Sequence, residues 1–171
     1  MSELFNLEKT IHIAVLTVSD TRSEETDLGG QLVQELARQN GLEIADYLIV
    51  PDDKERITNA VTRFLQNDAV DAVITTGGTG IAKRDVTLEA VTPLFDKQLD
   101  GFGELFRYVS FSEDVGTKAL LSRAAAGTAN DKAIFVLPGS RGAVKLAMKR
   151  LILPELRHIV FELTKHHQPR V

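Results

Sequence analysis

The chain of 171 residues contains no cysteine, no run of basic residues and no long apolar stretch. Without cysteine it forms no disulfide, no thiolate zinc site and no cysteine nucleophile. Its apolar runs fall short of the roughly 20 residues that a membrane span needs, and its first ten residues lack the apolar core of a signal peptide. Lysine and arginine number 20 against 24 acidic residues, so the charge predicts no nucleic-acid surface. We therefore expect a cytoplasmic protein that binds neither membrane nor nucleic acid.

The composition is that of an ordinary folded domain. With 43% hydrophobic and 26% charged residues, the chain resembles globular rather than disordered proteins. A chain of this length buries about 70% of the surface that it exposes when unfolded. No internal repeat or linker divides it, so we expect a single domain over residues 1–171, with residues 1–10 as a flexible N-terminal arm.

Short β-branched runs alternate with helical periodicity along the chain. Strands are predicted at residues 11–18, 42–50, 69–76 and 133–137, and helices around 28–37, 57–65, 88–95, 102–109, 119–125, 144–151 and 156–163. Pro93 should kink or shorten its helix, and Pro154 should separate the last two helices. Strand–helix alternation predicts an α/β fold, a three-layer sandwich with a mostly parallel central sheet. Ligands of such folds bind beyond the carboxyl ends of the strands.

Polar residues follow the first two predicted strands. Ser19 and Asp20 place a hydroxyl and a carboxylate after the first strand, where a polar loop is the alternative interpretation. Asp52 and Asp53 follow the second strand. Asp52 with Glu55 has the spacing of a capping box, which would satisfy free backbone N–H groups of the next helix. A cap needs only one aspartate, so a magnesium role stays open at this position.

The third predicted strand ends in a glycine-rich loop at residues 77–80, followed by Lys83, Arg84 and Asp85. Glycines allow positive φ and close approach of backbone to a ligand, and loop N–H groups suit a phosphate. Asp85 fits beside a phosphate when a divalent cation lies between them. The alternative is a tight turn with Thr87 as a helix cap. The loop matches neither a Walker motif nor a dinucleotide fingerprint.

Blocks at these strand ends resemble, in the same order, those of the MoaB/MogA family of molybdenum cofactor biosynthesis. The blocks are Thr-Val-Ser-Asp at 17–20, Val-Pro-Asp-Asp at 50–53, Thr-Thr-Gly-Gly-Thr-Gly-Ile at 75–81, Arg-Asp-Val-Thr at 84–87, Gly-Phe-Gly-Glu-Leu-Phe-Arg at 101–107, Leu-Ser-Arg at 121–123 and Leu-Pro-Gly-Ser at 137–140. They extend over residues 11–165. The block at 101–107 and the compact ending are most similar to the MoaB branch.

The resemblance implies a mostly parallel α/β fold, assembly into trimers or hexamers, and binding of molybdopterin. In the adenylyltransferase branch, the terminal phosphate of molybdopterin attacks the α-phosphorus of Mg-ATP and pyrophosphate is released. By motif match, Asp52 and Asp85 are the catalytic acids and hold Mg²⁺ through the substrate phosphates. The residues assigned to substrate and nucleotide binding are Ser19, Asp20, Gly77, Gly78, Thr79, Gly80, Glu104, Ser110 and Ser140. Other proteins of cofactor biosynthesis are possible partners.

Two positions depart from the family pattern. The adenylyltransferases usually have proline two residues after Leu-Pro-Gly, whereas this chain continues Ser140-Arg141-Gly142. Gly29 stands where many relatives have serine. Both departures fall in loops that we expect to face the ligand. A non-catalytic molybdopterin-binding or scaffold protein of the same pathway is therefore the alternative function.

Two further expectations concern other folds and assembly. A signalling receiver needs an aspartate at the end of its third strand, where Thr75-Thr76-Gly77 stands, and a flavodoxin has its phosphate loop after the first strand. Both are therefore disfavoured. Four phenylalanines lie between positions 95 and 111, on helices that form either core or a subunit interface. We expect a homo-oligomer that uses these aromatic helices.

Overall fold

The computed structural model describes residues 9–167, so residues 1–8 of the expected arm lie outside the described part. The strands are β1 (His12–Val18), β2 (Glu43–Val50), β3 (Ala72–Thr76), β4 (Lys97–Gln98), β5 (Ala125–Ala129) and β6 (Lys132–Leu137). The α-helices are α1 (Leu28–Gln39), α2 (Lys54–Leu65), α3 (Thr87–Val91), α4 (Asp100–Glu113), α5 (Arg141–Ala147) and α6 (Leu153–Thr164). Across residues 9–167, no helix has the length and apolar character that crossing a bilayer requires.

The six strands form one sheet in the order β2-β1-β3-β6-β5-β4. The pairs β1–β2, β1–β3 and β3–β6 are parallel, whereas β5 runs antiparallel to both β4 and β6. After β1, the chain forms β2 on one side of β1 and then crosses to form β3 on its other side. The strand order therefore reverses between β1 and β3, which is where ligands bind in open α/β sheets.

Alternating side chains of β1 divide the core between the two faces of the sheet, as strand geometry requires. Ile13 and Val15 pack in the apolar layer formed with α1, α4, α5 and α6. Ala14 and Leu16 pack in the layer formed with α2 and α3. The expected three-layer α/β sandwich with a mostly parallel sheet is confirmed.

The helix expected at residues 119–125 is wrong. A 3₁₀ helix covers Gly116–Leu121, and β5 begins at Ala125. Its small residues fit a crowded place in the sheet, because a Cβ on Gly127 would overlap the ring of Phe95. An alanine-rich segment lacks the β-branched pattern that indicates a strand, so neither β5 nor its partner β4 was predicted.

The two prolines have different effects. Pro93 behaves as expected, because α3 ends at Val91 and a 3₁₀ turn covers Thr92–Leu94. Around Pro154 the backbone stays helical from α5 to α6, through a π turn at Met148–Ile152. Proline lacks an N–H and crowds the carbonyl four residues earlier, and the wider π turn accommodates both effects. Pro154 therefore lies in the first turn of α6, as expected, and a π turn rather than a loop joins α5 to α6.

Candidate functional site

The glycine loop after β3 packs tightly against the ends of its neighbours. Gly77 and Gly78 have φ of +91° and +69°, values that favour glycine. A Cβ on Gly77 would overlap the carbonyl oxygen of Val18, and one on Gly78 would overlap Thr87 Oγ1. Thr87 closes the loop, because its Oγ1 donates to the Gly77 carbonyl at 2.9 Å and its N–H to the Gly78 carbonyl at 3.1 Å. The interpretation of Thr87 as a helix cap is wrong, since the cap position of α3 is Val86.

The two aspartates after β2 have separate roles. Asp53 is the N-cap of α2, and its side chain accepts a hydrogen bond from the Arg56 N–H at 2.9 Å. The predicted capping box of Asp52 with Glu55 is therefore wrong, because the cap is the next residue, Asp53. The Asp52 side chain is 13% exposed, and its Oδ1 lies 3.1 Å from an ideal Cβ built on Gly78. Because Asp53 caps the helix, the Asp52 carboxylate is available to the glycine loop.

Asp85 lies at the far side of the same loop. Its Oδ2 accepts a hydrogen bond from the Ala82 N–H at 3.1 Å, and it lies where a side chain on Gly80 would project. The pKa of Asp52 is raised, first by burial and then by the negative charge of Asp85. The two carboxylates therefore lie on the same loop and interact electrostatically.

Arg84 provides the positive charge at this edge of the sheet. Its guanidinium forms an ion pair with Asp20, and its Nη2 lies 3.9 Å from Asp52 Oδ2. Asp20 also accepts a hydrogen bond through Oδ1 from the Asp52 N–H at 2.9 Å. Ser19 joins the same two strand ends, because its N–H donates to the Val50 carbonyl at 2.9 Å. The ends of β1 and β2 are thus held together beside the two acids.

A cavity of about 490 Å³ opens between the ends of β1, β3 and β6. Its polar lining includes Ser19, Arg22, Asp27, Ser140 and Arg141, together with the backbone of Gly77. Ser140 is the N-cap of α5, and its Oγ accepts from the Ala143 N–H at 3.2 Å. Three of these residues were predicted from the sequence, and Arg22, Asp27 and Arg141 were not. Two arginines among the lining residues suit an anionic ligand such as a phosphate.

Asp27 is a functional candidate that sequence reasoning left without a role. Its side chain is 3% exposed and accepts hydrogen bonds from Thr17 Oγ1 at 2.6 Å, from the Tyr47 hydroxyl, and from the Gly30 N–H at 3.0 Å. Burial, and next the hydrogen bond with Asp27, raise the pKa of Tyr47. The feature of the sequence that could have identified Asp27 is an acidic residue directly before a helix and two residues before Gly29.

Arg123 is the second such residue. It donates from Nε to the Thr79 carbonyl at 3.1 Å and from Nη2 to the carbonyls of Gly80 at 2.7 Å and Asp85 at 3.2 Å. Its Nη1 contacts Glu89 Oε1 at 2.5 Å. The sequence placed Arg123 in a matched block but assigned it no role. One side chain therefore holds the backbone on both sides of the loop.

Glu104 and Ser110 lie apart from the other predicted site residues. Both are on α4, and neither lines the cavity beside Gly77. Glu104 lines a separate depression of about 130 Å³ next to β5. Ser110 is buried, and its carbonyl accepts from the Val115 N–H at 2.9 Å. The remaining predicted residues meet at one edge of the sheet, and the binding roles of all the predicted residues stay a prediction.

Comparisons with known proteins agree on one family. Residues 14–158 match the sequence model of the family described as "Probable molybdopterin binding domain". The chain is 61% identical over 161 residues to "Molybdenum cofactor biosynthesis protein B" of Staphylococcus aureus strain MRSA252, which covers 93% of this chain and 95% of that protein. A crystal structure of molybdenum cofactor biosynthesis protein B superposes with a TM-score of 0.91 and 54% identity, covering 95% of this chain and all of that one.

A second solved structure extends the comparison. The tungsten cofactor synthesizing protein MoaB from Pyrococcus furiosus superposes with a TM-score of 0.81 and 40% identity, covering 92% of this chain and 99% of that one. The similarity therefore extends over nearly the whole length of the proteins compared.

Proposed function

Because the chain belongs to the MoaB/MogA family of molybdopterin-binding proteins, we propose that it acts in molybdenum cofactor biosynthesis as a molybdopterin adenylyltransferase. An oxygen of the terminal phosphate of molybdopterin attacks the α-phosphorus of ATP. The bond from that phosphorus to the bridging oxygen breaks, and pyrophosphate leaves. The observation that carries the proposal is the pair of interacting carboxylates, Asp52 and Asp85, on either side of the glycine loop.

The glycine loop is the proposed phosphate cradle. Positive φ at Gly77 and Gly78 favours glycine, and the lack of side chains lets the loop backbone pack closely against Val18 and Thr87. Backbone N–H groups in such loops bind anions without a charged side chain. Thr87 and Arg123 fix the loop through its carbonyl groups, so its N–H groups are positioned before the substrate arrives. Such preorganisation is the main contribution of a protein to phosphoryl-type transfer.

Asp52 and Asp85 fit the Mg²⁺ that accompanies ATP. Magnesium prefers oxygen ligands and binds proteins through one or two carboxylates plus substrate phosphates. Burial, and next the negative charge of Asp85, raise the pKa of Asp52, and a divalent cation shared by both acids would offset both effects. When bound, Mg²⁺ neutralises the charge that develops on the phosphate oxygens. Arg84, next to Asp20 and Asp52, adds positive charge at the same place.

The neighbouring cavity is the proposed molybdopterin site. Its volume of about 490 Å³ falls within the usual range for ligand pockets. Arg22 and Arg141 supply positive charge for the substrate phosphate, while Ser19 and Ser140 supply hydroxyl groups for its polar edges. The cavity shares Gly77 with the glycine loop, so the molybdopterin site adjoins the nucleotide site.

The test is pyrophosphate release by the purified protein with molybdopterin, ATP and magnesium. We expect release to require both substrates and to fall about 100-fold or more in Asp85→Asn, because that change removes a carboxylate that would hold Mg²⁺ at the reacting phosphates. The control is Asp53→Asn, which removes a nearby charge but keeps a good helix cap. Wild-type turnover in Asp85→Asn would refute the assigned mechanism.

A binding or scaffold role without catalysis is the second candidate. It is favoured by Arg141, which lines the cavity at a position where the adenylyltransferases usually have proline. A guanidinium there increases the affinity for an anion without adding a group that transfers one. Tight molybdopterin binding with no consumption of ATP would support this role, and magnesium-dependent pyrophosphate release would contradict it.

We also propose that the protein acts in the cytoplasm and assembles into trimers or hexamers. The exposed apolar side chains of α4 support the assembly. Other proteins of molybdenum cofactor biosynthesis are the expected partners.

A further inference from the structure

A group of metal-ligating side chains lies away from the candidate site. Asp131 is in the turn between β5 and β6, and His166 and His167 are in the 3₁₀ turn Lys165–His167 that follows α6. Within residues 9–167, this is the one group of three or more His, Asp or Glu whose ligand atoms lie within 4.8 Å of one another. Because β6 is parallel to β3, its first residue lies at the sheet edge opposite the glycine loop.

The donor atoms have the spacing of a metal ligand shell. Asp131 Oδ2 lies 3.0 Å from His167 Nε2 and 3.4 Å from His166 Nε2. Ligand bonds of about 2.0–2.1 Å in a tetrahedron place neighbouring donor atoms about 3.3–3.4 Å apart. The distance to His166 matches this spacing, and the distance to His167, which is also that of a hydrogen bond, is slightly shorter.

The two imidazoles converge, although they come from successive residues. Side chains of neighbours in a 3₁₀ turn normally point about 120° apart. Here the ring centroids of His166 and His167 are 3.8 Å apart, and both rings reach the same carboxylate. Three potential metal ligands therefore lie together on an exposed surface. Exposed polar side chains can instead each be solvated by water, so their convergence is notable.

Asp131 is held in place by its turn. Asn130 and Asp131 both have positive φ, of 50° and 58°, as in the tight turns of hairpins. The Asn130 side chain donates to the Leu65 carbonyl at 2.6 Å, and its N–H donates to Asp96 Oδ2 at 3.0 Å. The turn therefore fixes the position at which the Asp131 carboxylate meets the two imidazoles.

We propose that Asp131, His166 and His167 form a binding site for a divalent transition metal, and that the preferred metal is Zn²⁺. Two imidazoles and one carboxylate are a common protein ligand set for zinc, and water completes the tetrahedron. The ligand atoms are nitrogen and oxygen, with no cysteine sulfur, and such a ligand set suits zinc better than copper(I). The site is distinct from the magnesium-type pair Asp52 and Asp85 in both position and chemistry.

The test is calorimetric titration of the full, untagged chain with Zn²⁺ at neutral pH, followed by Co²⁺ absorption as a report on geometry. We expect one zinc per chain and a tetrahedral cobalt spectrum. His166→Ala, His167→Ala and Asp131→Asn should each weaken binding by about 10-fold or more, because even partners outside the ligand shell contribute that much. Asparagine tolerates the left-handed backbone at Asp131, so this variant keeps the turn.

The matched control is His158→Ala. His158 is also an exposed histidine, on α6, but it contacts Glu155 and Glu162 rather than Asp131. Its loss should leave zinc affinity unchanged. Absence of saturable zinc binding, wild-type affinity in Asp131→Asn, or loss of binding in His158→Ala would each overturn the proposal. Since metal binding is the readout, the result is independent of whether the protein adenylylates molybdopterin.

Discussion

Arg123 donates a hydrogen bond from Nη2 to the carbonyl of Gly80 at 2.7 Å, which ties the segment before β5 to the glycine loop after β3. The same guanidinium binds the carbonyls of Thr79 and Asp85. Its contact with Glu89 holds it from the side of α3, and the hydrogen bond lowers the pKa of Glu89. A single planar group therefore sets the position of the loop relative to the Asp85 backbone.

Replacing Arg123 by lysine should uncouple the loop from Asp85. Lysine keeps the charge but cannot present the rigid fork that binds several carbonyls. We expect the kcat for pyrophosphate release to fall about 10- to 100-fold, since small misplacements of reacting groups have effects of this size, with a smaller change in KM. The control is Arg150→Lys, whose guanidinium pairs with Glu113 at the surface. Equal kcat values in the two variants would show that Arg123 does not position the loop.

Substitutions of Asp52 and of Asp53 should affect different properties, turnover in the first case and stability in the second. Asp53→Ala removes the N-cap of α2 and should lower the free energy of unfolding by about 1 kcal/mol, with little loss of turnover in the folded protein. Asp52→Asn should do the reverse, with turnover lowered about 100-fold or more and the free energy of unfolding unchanged or slightly raised, because the ionised carboxylate is disfavoured in the folded chain. Urea unfolding and pyrophosphate release on both variants make the comparison. The opposite pattern would mean that the two roles are exchanged.

This pair also illustrates how far the sequence reaches. The parallel strands were predictable because short β-branched runs, such as residues 11–18, indicate a strand rather than a helix. Ser19, Asp52 and the glycine loop were then found as the polar and glycine residues that follow these strands. The choice of Asp53 over Asp52 as the cap depends on where α2 begins, at Lys54, and periodicity defines a helix start only to within a few residues. Arg123 was beyond reach, because its hydrogen bonds span 38–44 positions along the chain and leave no local pattern.

The pH dependence of Asp52 follows from its neighbours. Burial and the charge of Asp85 raise its pKa in the folded chain. The folded chain therefore binds this proton more strongly than the unfolded chain, so stability is lost as the pH rises through the raised pKa. Asp85→Asn removes the like charge, and the pKa of Asp52 should fall. The measurement is an NMR titration of the side-chain carboxyl carbon, with Asp68→Asn at the surface as the control. An unchanged pKa in Asp85→Asn would contradict the interaction.

Gly78 and Gly101 are a second matched pair. An alanine at Gly78 would need φ of +69° and would overlap Thr87 Oγ1, whereas one at Gly101 in α4 meets no atom within 4 Å. We expect Gly78→Ala to destabilise the fold by more than 1 kcal/mol (an estimate of about 1–3 kcal/mol) and to abolish turnover. Gly101→Ala should be neutral or stabilise by up to about 1 kcal/mol. Thermal unfolding of both variants checks this, and equal melting temperatures would contradict it.

The outer face of α4 should mediate assembly. Phe106 on its inner face is buried, whereas Leu105, Tyr108 and Phe111 are 54%, 68% and 55% exposed. The 3₁₀ segment beside α4 adds Leu120, and exposed apolar patches of this kind mark interaction surfaces. We expect light scattering at micromolar concentration to show a trimer or hexamer. Tyr108→Glu should reduce the mass, because a symmetric assembly would bury one new charge in every copy.

The control for this variant is Gln66→Glu, at the exposed end of α2, which should keep the wild-type mass. A monomeric wild type, or a Tyr108→Glu protein of unchanged mass, would exclude α4 as the interface. The same variant also tests Glu104, which lies on α4 away from the cavity of its own chain. If assembly brings Glu104 to the site of a neighbouring copy, turnover should fall together with the mass. If turnover persists in the dissociated chain, the residues that meet at the ends of β1, β2, β3 and β6 are sufficient for the reaction.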